Sequence, residues 1–215
     1  MDRVLNDEEV RVVGVLIEKQ LSTPDYYPMT LNALTQACNQ KTNRDPVVQY
    51  DESTVDATLT SLQRLRLVGV AGGASSRATK YRHALAEQLG LDVPSLAVLS
   101  VLLVRGPQTV GEVRGRTGRL HAFDTLEDAE AVLHALAERE EPLVGEVPRQ
   151  PGQKETRYAH LLAGVPAVES IAAPAVSAPP SFGERFEALE EEVTTLRTEL
   201  EALREAFEAF KGQFQ

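Results

Sequence analysis

The feature that most constrains this chain is an internal repeat of about 77 residues. Two segments are alike, TKYRHAL at 79–85 and TRYAHLL at 156–162. The same order of signals precedes each. In the first copy, Asn6 with Glu9 forms a capping-box start to a helix over 6–22, with Val10, Val13, Leu16 and Ile17 at helical spacing. Thr30 caps a second helix carrying Leu31, Leu34 and Cys38. Ser53 and Asp56 open a third, with Val55, Leu59, Leu62 and Leu65 as its core face. Pro46 argues against helix in the segment between them. LVGV, a Gly-rich stretch and RATKYRHAL then read as two strands around a turn. In the second copy Ser95 opens a helix with Leu96, Leu99, Leu102 and Leu103. Thr109 and Glu112 repeat the capping box, and Asp124 caps a helix carrying Leu126, Ala129, Leu133 and Leu136. PLVGEV and ETRYAHLL close that copy as a second hairpin. Three helices and a two-stranded hairpin in each copy is the winged-helix form of the helix-turn-helix unit. The expected fold is therefore mainly α, with one winged-helix domain over 1–90 and another over 91–163.

Two further segments follow the repeat. Residues 164–181 are rich in Ala and Pro, and prolines at 166, 174, 179 and 180 leave no apolar period, so this is read as a linker. Over 182–215 the apolar positions alternate spacings of four and three. The seam runs through Phe186, Leu189, Val193, Leu196, Leu200, Leu203 and Phe207, which predicts a coiled-coil helix and a homodimer. In a parallel pair the flanking charges match as Arg185 with Glu190, Glu192 with Arg197 and Glu199 with Arg204. An antiparallel pair centred on the middle heptads would set Glu192 against its own copy. Parallel pairing is the expectation, and the charges select orientation more than they stabilise.

Composition removes several function classes. One cysteine, Cys38, excludes a disulfide framework within the chain, and four scattered histidines (83, 121, 134, 160) give no metal-ligand spacing. Neither a metal nor a cofactor is expected. Aromatics are 5% and five of the six Phe fall in the last 34 residues, too few elsewhere for platforms that stack unpaired bases. The start MDRVLNDEEV lacks the apolar run of a signal peptide, and no stretch approaches a membrane span, so a cytoplasmic protein with no membrane partner is expected. Cys38 lies on the apolar side of its helix and is read as a structural thiol; His83 and His160 hold equivalent repeat positions and are read as packing or hydrogen-bonding groups. No phosphate loop or catalytic constellation is present, and an enzyme is not expected.

Residues 16–47, LIEKQLSTPDYYPMTLNALTQACNQKTNRDPV, together with the wing TKY, LLVRGPQT at 102–109 and the PG-x-x-E-x-RY pattern at 151–158, resemble the bacterial YceH-like family. The resemblance covers nearly the whole chain. It implies a tandem winged-helix fold with a coiled-coil tail, and it brings no catalytic or ligand residues with it.

A winged helix that reads DNA lays its third helix in the major groove while cations there and on the wing hold phosphates. In the first copy the outward face of that helix carries Ser53, Asp56, Ala57, Thr60 and Arg64. Lys41 and Arg44 precede it, and the wing adds Arg77, Lys80 and Arg82. In the second copy the same face carries Glu127, Asp128, Ala131, Ala135 and Glu138, which repels phosphate. The cations of that copy are Arg114, Arg116 and Arg119 in RGRTGR, with Lys154 and Arg157 on the wing. The net charge of −10 is also uneven: residues 166–215 hold ten acidic against four basic residues, and the rest is nearly balanced. Two functions from different classes follow. One is a dimeric, DNA-associated regulator that binds double-stranded DNA through these cations. The other is a protein-interaction scaffold that does not touch DNA, as in the tandem winged-helix accessory subunits of condensin-type complexes, with a protein partner on the acidic face of the second domain.

Overall fold

Helix α1 (Asp7–Ser22) begins at the expected capping box: the Asn6 side chain accepts from the Glu9 N–H, and the Glu9 carboxylate accepts from the Asn6 N–H. Glu9 is itself buried, and its other oxygen accepts from Ser61 Oγ at 2.6 Å, which ties this turn to a later helix. A computed structural model describes residues 4–71, 78–148 and 155–164, all within one unit, Met1–Ala167. The linker from residue 165 onward, the heptad seam with its seven apolar positions, Arg77 and Lys154 lie outside the described residues.

After α1 come a 3-10 turn (Pro24–Tyr26), strand β1 (Met29–Thr30), α2 (Leu31–Cys38), α3 (Glu52–Arg64), β2 (Val68–Ala71), β3 (Lys80–His83) and the short α4 (Leu85–Leu89). The second half adds α5 (Val93–Arg105), α6 (Val110–Thr117), α7 (Leu126–Ala137), β4 (Val144–Val147) and β5 (Arg157–His160). Thr30 and Thr109 cap α2 and α6 as expected. Three other starts fall earlier or later than expected: Asp51 caps α3, Asp92 caps α5 and Thr125 caps α7 in a box with Asp128. At each of these starts more than one short polar side chain lies within a few residues, and the one that caps is the one whose oxygen meets the exposed N–H groups of the first turn.

The hairpins are antiparallel with matching register, Val68 opposite His83 and Val144 opposite His160. Each gains a third segment. Strand β1 pairs with β3 through Met29 and Tyr81, giving the order β1-β3-β2. In the second half a single bridge between Gln108 and Tyr158 takes that place, with N–H···O distances of 2.9 and 2.8 Å.

The first helices of the two halves are buried on all sides, over Glu9–Ile17 in α1 and Leu96–Val104 in α5. A helix buried all round needs cover all round, and here each covers one side of the other. Gly14 and Ser100, each the eighth residue after its N-cap, sit at the crossing, where Ser100 Oγ donates to the Gly14 carbonyl at 3.2 Å. A Cβ on Gly14 would lie 2.7 Å from Leu103 Cβ, so glycine is what lets the backbones approach. One continuous core therefore runs through both halves, from Leu16 and Leu59 to Leu102 and Leu133. Backbone bonds join the halves again, from Leu5 N–H to Leu162 O (2.8 Å) and from Asp45 N–H to Val104 O (2.9 Å). No helix among the described residues is long and apolar enough to cross a membrane.

Candidate functional site

The outward faces of α3 and α7 are as their periodicity predicts. Ser53, Asp56, Ala57, Thr60 and Arg64 are exposed on α3 while Val55, Leu59 and Leu62 are buried. Glu127, Asp128, Ala131, Ala135 and Glu138 are exposed on α7 while Ala129, Leu133 and Leu136 are buried. Beside α3, strand alternation turns Lys80 and Arg82 outward. Arg82 holds an exposed ion pair with Glu87 at 2.8 Å, and Lys80 and Arg64 have no carboxylate partner among the described residues. Burial, then the Asp56 carboxylate, push the Tyr81 phenol pKa up.

The α7 face borders a different surface. Glu127, Glu130, Glu146 and Glu155 surround a groove of about 630 Å³ between α7, the start of α6 and the β4–β5 hairpin. Leu126, 47% exposed, lies on its rim. Among the described residues, no Lys or Arg lines it.

The remaining expected cations divide by geometry. Arg44 is a correction: it is 6% exposed and its donors are consumed inside the fold. Its guanidinium donates to the carbonyls of Ala37 (3.2 and 3.0 Å) and Asn43 (2.9 Å) and to Gln40 Oε1 (2.9 Å), and pairs with Glu18 at 2.6 Å. With Arg11, which donates to the Cys38 and Pro46 carbonyls, it satisfies the C-terminal end of α2 and fixes the loop after it. Arg44 is a structural bolt, not a phosphate ligand. Arg114 is exposed but also holds a loop, donating to the carbonyls of Phe123 (3.3 Å) and Asp124 (2.7 Å). Arg157 donates to the Pro107 carbonyl (2.9 Å) and to Glu112 (2.8 Å).

Lys41 and the pair Arg116 and Arg119, far apart in sequence, converge. They line a cleft of about 420 Å³ between the halves, together with Lys19 and Arg105. A contiguous recess shares Asn43, Arg105 and Arg116 with it and is bounded by Glu112 and Arg157. Of the carboxylates at hand, Glu18 and Glu112 are engaged, while Asp45, exposed on the wall of the second recess, has no ion pair among the described residues. Glu18 holds Arg44, with Lys19 3.8 Å away. Glu112 lies between Arg157 and Arg116, at 2.8 and 3.4 Å. Burial pushes the Glu112 carboxyl up, but the Thr109 N–H and the two arginines outweigh it and hold its pKa below the usual value. Arg105, in the last turn of α5, donates to Asn43 Oδ1. Burial, then Arg116, hold its pKa below normal. Nothing in the sequence marks Arg105 or Lys19 as a ligand, because a single cation at a helix end reads as a complement to the helix dipole. Only the crossing of α1 and α5 brings them to the same cleft.

Cys38 is fully buried, and burial pushes its thiol up to about 12, which removes it as a nucleophile near neutral pH. Burial pulls His83 and His160 down to about 4, so both are neutral at pH 7. His83 bonds through Nε2 to Gln20, and its backbone N–H donates to Tyr27 Oη at 2.7 Å. Neither Nδ1 has a hydrogen-bond partner among the described residues.

Residues 5–153 match a family described as a protein of unknown function, DUF480. The chain belongs to that family. Members designated UPF0502 proteins are similar along the whole of both chains: those of Geobacter metallireducens at 53% identity, Geotalea uraniireducens at 51% and Geobacter sulfurreducens at 50%. The designations of these DUF480 relatives attach no ligand or reaction to any of the surfaces above.

Proposed function

We propose that this DUF480 chain is a dimeric tandem winged-helix protein that associates with double-stranded DNA as a regulator and is not an enzyme. The observation that carries this reading is the uncovered α3 face. Ser53, Ala57, Thr60 and Arg64 are small or polar beside the single acid Asp56 of that face, and Lys80 projects outward from β3, which suits a groove-entering helix and wing. The repeated order of three helices, a segment pairing before the second helix and a hairpin supports the winged-helix assignment. The heptad seam over 182–215 supplies the dimer. The test is the affinity of the full chain for random 20-base-pair duplex across a salt series. Replacing Arg64, Lys80 and Arg82 by Ala should flatten the log–log salt dependence by about 0.9 for each phosphate that is no longer neutralised. Absence of binding by the native chain at low salt would overturn the reading. Deleting 182–215 should give a folded monomer in sedimentation equilibrium; a dimer of unchanged affinity would refute the tail assignment.

A second reading has its own observation. The groove rimmed by Glu127, Glu130, Glu146 and Glu155 with exposed Leu126 suits a basic, partly apolar protein segment. It favours the scaffold, which takes precedence if duplex DNA is not bound.

A further inference from the structure

The cleft between the halves has more positive charge than the fold needs. Arg44 is spent on carbonyls and Glu18, and Arg157 on Glu112 and Pro107. Lys41, Arg105 and Arg119 are left with no carboxylate within ion-pair distance among the described residues, on three different segments facing one recess. Such a gathering of like charge is unfavourable without an anion. The geometry points to this cleft as a binding site for a compact polyphosphate, with the size and charge of the diphosphate of a nucleotide.

Three features favour that ligand class. The volume of about 420 Å³ falls in the range of small-molecule sites. The floor is formed by the buried residues Val101 and Val104 at the α1–α5 crossing, so the cations sit around a recess and not on a ridge. A duplex is a convex cylinder that meets its cations on protruding helices and wings; a recess suits a short anion, and arginines there grip phosphate oxygens two at a time. The walls are also preorganised. Arg44 fixes the loop that carries Lys41, and Asn43 of the same loop bonds to Arg105. The ligand would touch both halves, and the site does not depend on the DNA reading.

Titration calorimetry of the full chain with pyrophosphate and with ADP, at ionic strength held constant with chloride, tests the site. One ligand should bind per chain. Lys41→Gln with Arg119→Gln should weaken binding about tenfold or more, since charge-assisted hydrogen bonds to phosphate are removed. Lys41→Arg with Arg119→Lys should retain it, which separates missing charge from misfolding. Arg64→Gln with Lys80→Gln should leave it unchanged. The assignment is overturned if no heat is released, or if both pairs of Gln substitutions weaken binding alike, which would mean diffuse charge screening. It is equally overturned if Lys41→Gln with Arg119→Gln abolishes duplex binding while pyrophosphate binding persists.

Discussion

Helices α3 and α7 hold the same place in the two halves and bury the same kind of stripe, Val55, Leu59 and Leu62 in one and Ala129, Leu133 and Leu136 in the other. Their hairpins share a register that sets His83 and His160 opposite Val68 and Val144. Outward, the helices part company. One shows Ser53, Asp56, Ala57, Thr60 and Arg64; the other shows Glu127, Asp128, Ala131, Ala135 and Glu138. Inward positions are held by the volume they fill and by the penalty for leaving a buried polar group unpaired. Outward positions carry neither constraint, so duplicated halves keep one interior and acquire two surfaces. A test of this contrast should find equal responses inside and opposite ones outside.

The largest expected effect is on the histidines. Each is neutral in the folded chain with a pKa near 4, against an ordinary 6.5 when unfolded. Protons therefore favour the unfolded chain: stability is whole above about pH 6.5 and falls as the pH drops toward 4. Each histidine accounts for about 3 kcal/mol over that window. Urea unfolding at pH 7 and pH 4.5 should show the loss, and His83→Gln or His160→Gln should each remove about half of it. Unequal halves would break the internal symmetry.

Next are the two arginines that hold loops. Arg44→Ala leaves Glu18 with only Lys19, at 3.8 Å, and the Ala37 carbonyl without its donors, and should cost about 3–5 kcal/mol in urea unfolding at pH 7. Arg114→Ala, with its loop carbonyls able to turn to water, should cost about 1–2 kcal/mol. Equal costs would mean that Arg44 is more solvated than its burial indicates. Gly14→Ala comes third. The added carbon must displace Leu103 and Val104, and stability should fall by about 1–3 kcal/mol in one cooperative transition, because the halves share a core. A variant that melts in two steps would show that the halves fold separately.

The smallest effect is on the acidic row. Glu127→Gln with Glu138→Gln should move stability by less than about 0.5 kcal/mol. Asp128 is left in place because its carboxylate accepts the Thr125 N–H. Duplex affinity should stay level or rise slightly with the same salt slope. A rise above tenfold would place α7 against DNA and erase the difference between the halves.

The sequence exposed what is local. The Asn6–Glu9 and Thr109–Glu112 boxes are contained in four residues each, and the stripes of α3 and α7 in thirteen and twelve. Strand β1 is two residues long and exists through Tyr81 and Lys80, some fifty positions away, so no local period announces it. Helix α4 is five residues, too short for a stripe. The role of Arg44 depended on Glu18, which is on another helix, and the cleft depended on Arg105 meeting Asn43 across the crossing. By charge alone the cations are equivalent. Burial and partners separate them.

The crossing of α1 and α5 has a consequence during synthesis. Helix α1 leaves the ribosome with nine successive residues destined for the interior, and the surface that covers one side of it, Leu96–Val104, is translated some ninety residues later. At about 5–20 residues per second, that side stays bare for several seconds. The nascent first half thus keeps that seam open until α5 emerges, and truncation before residue 96 leaves a fragment with an apolar seam and nothing to close it.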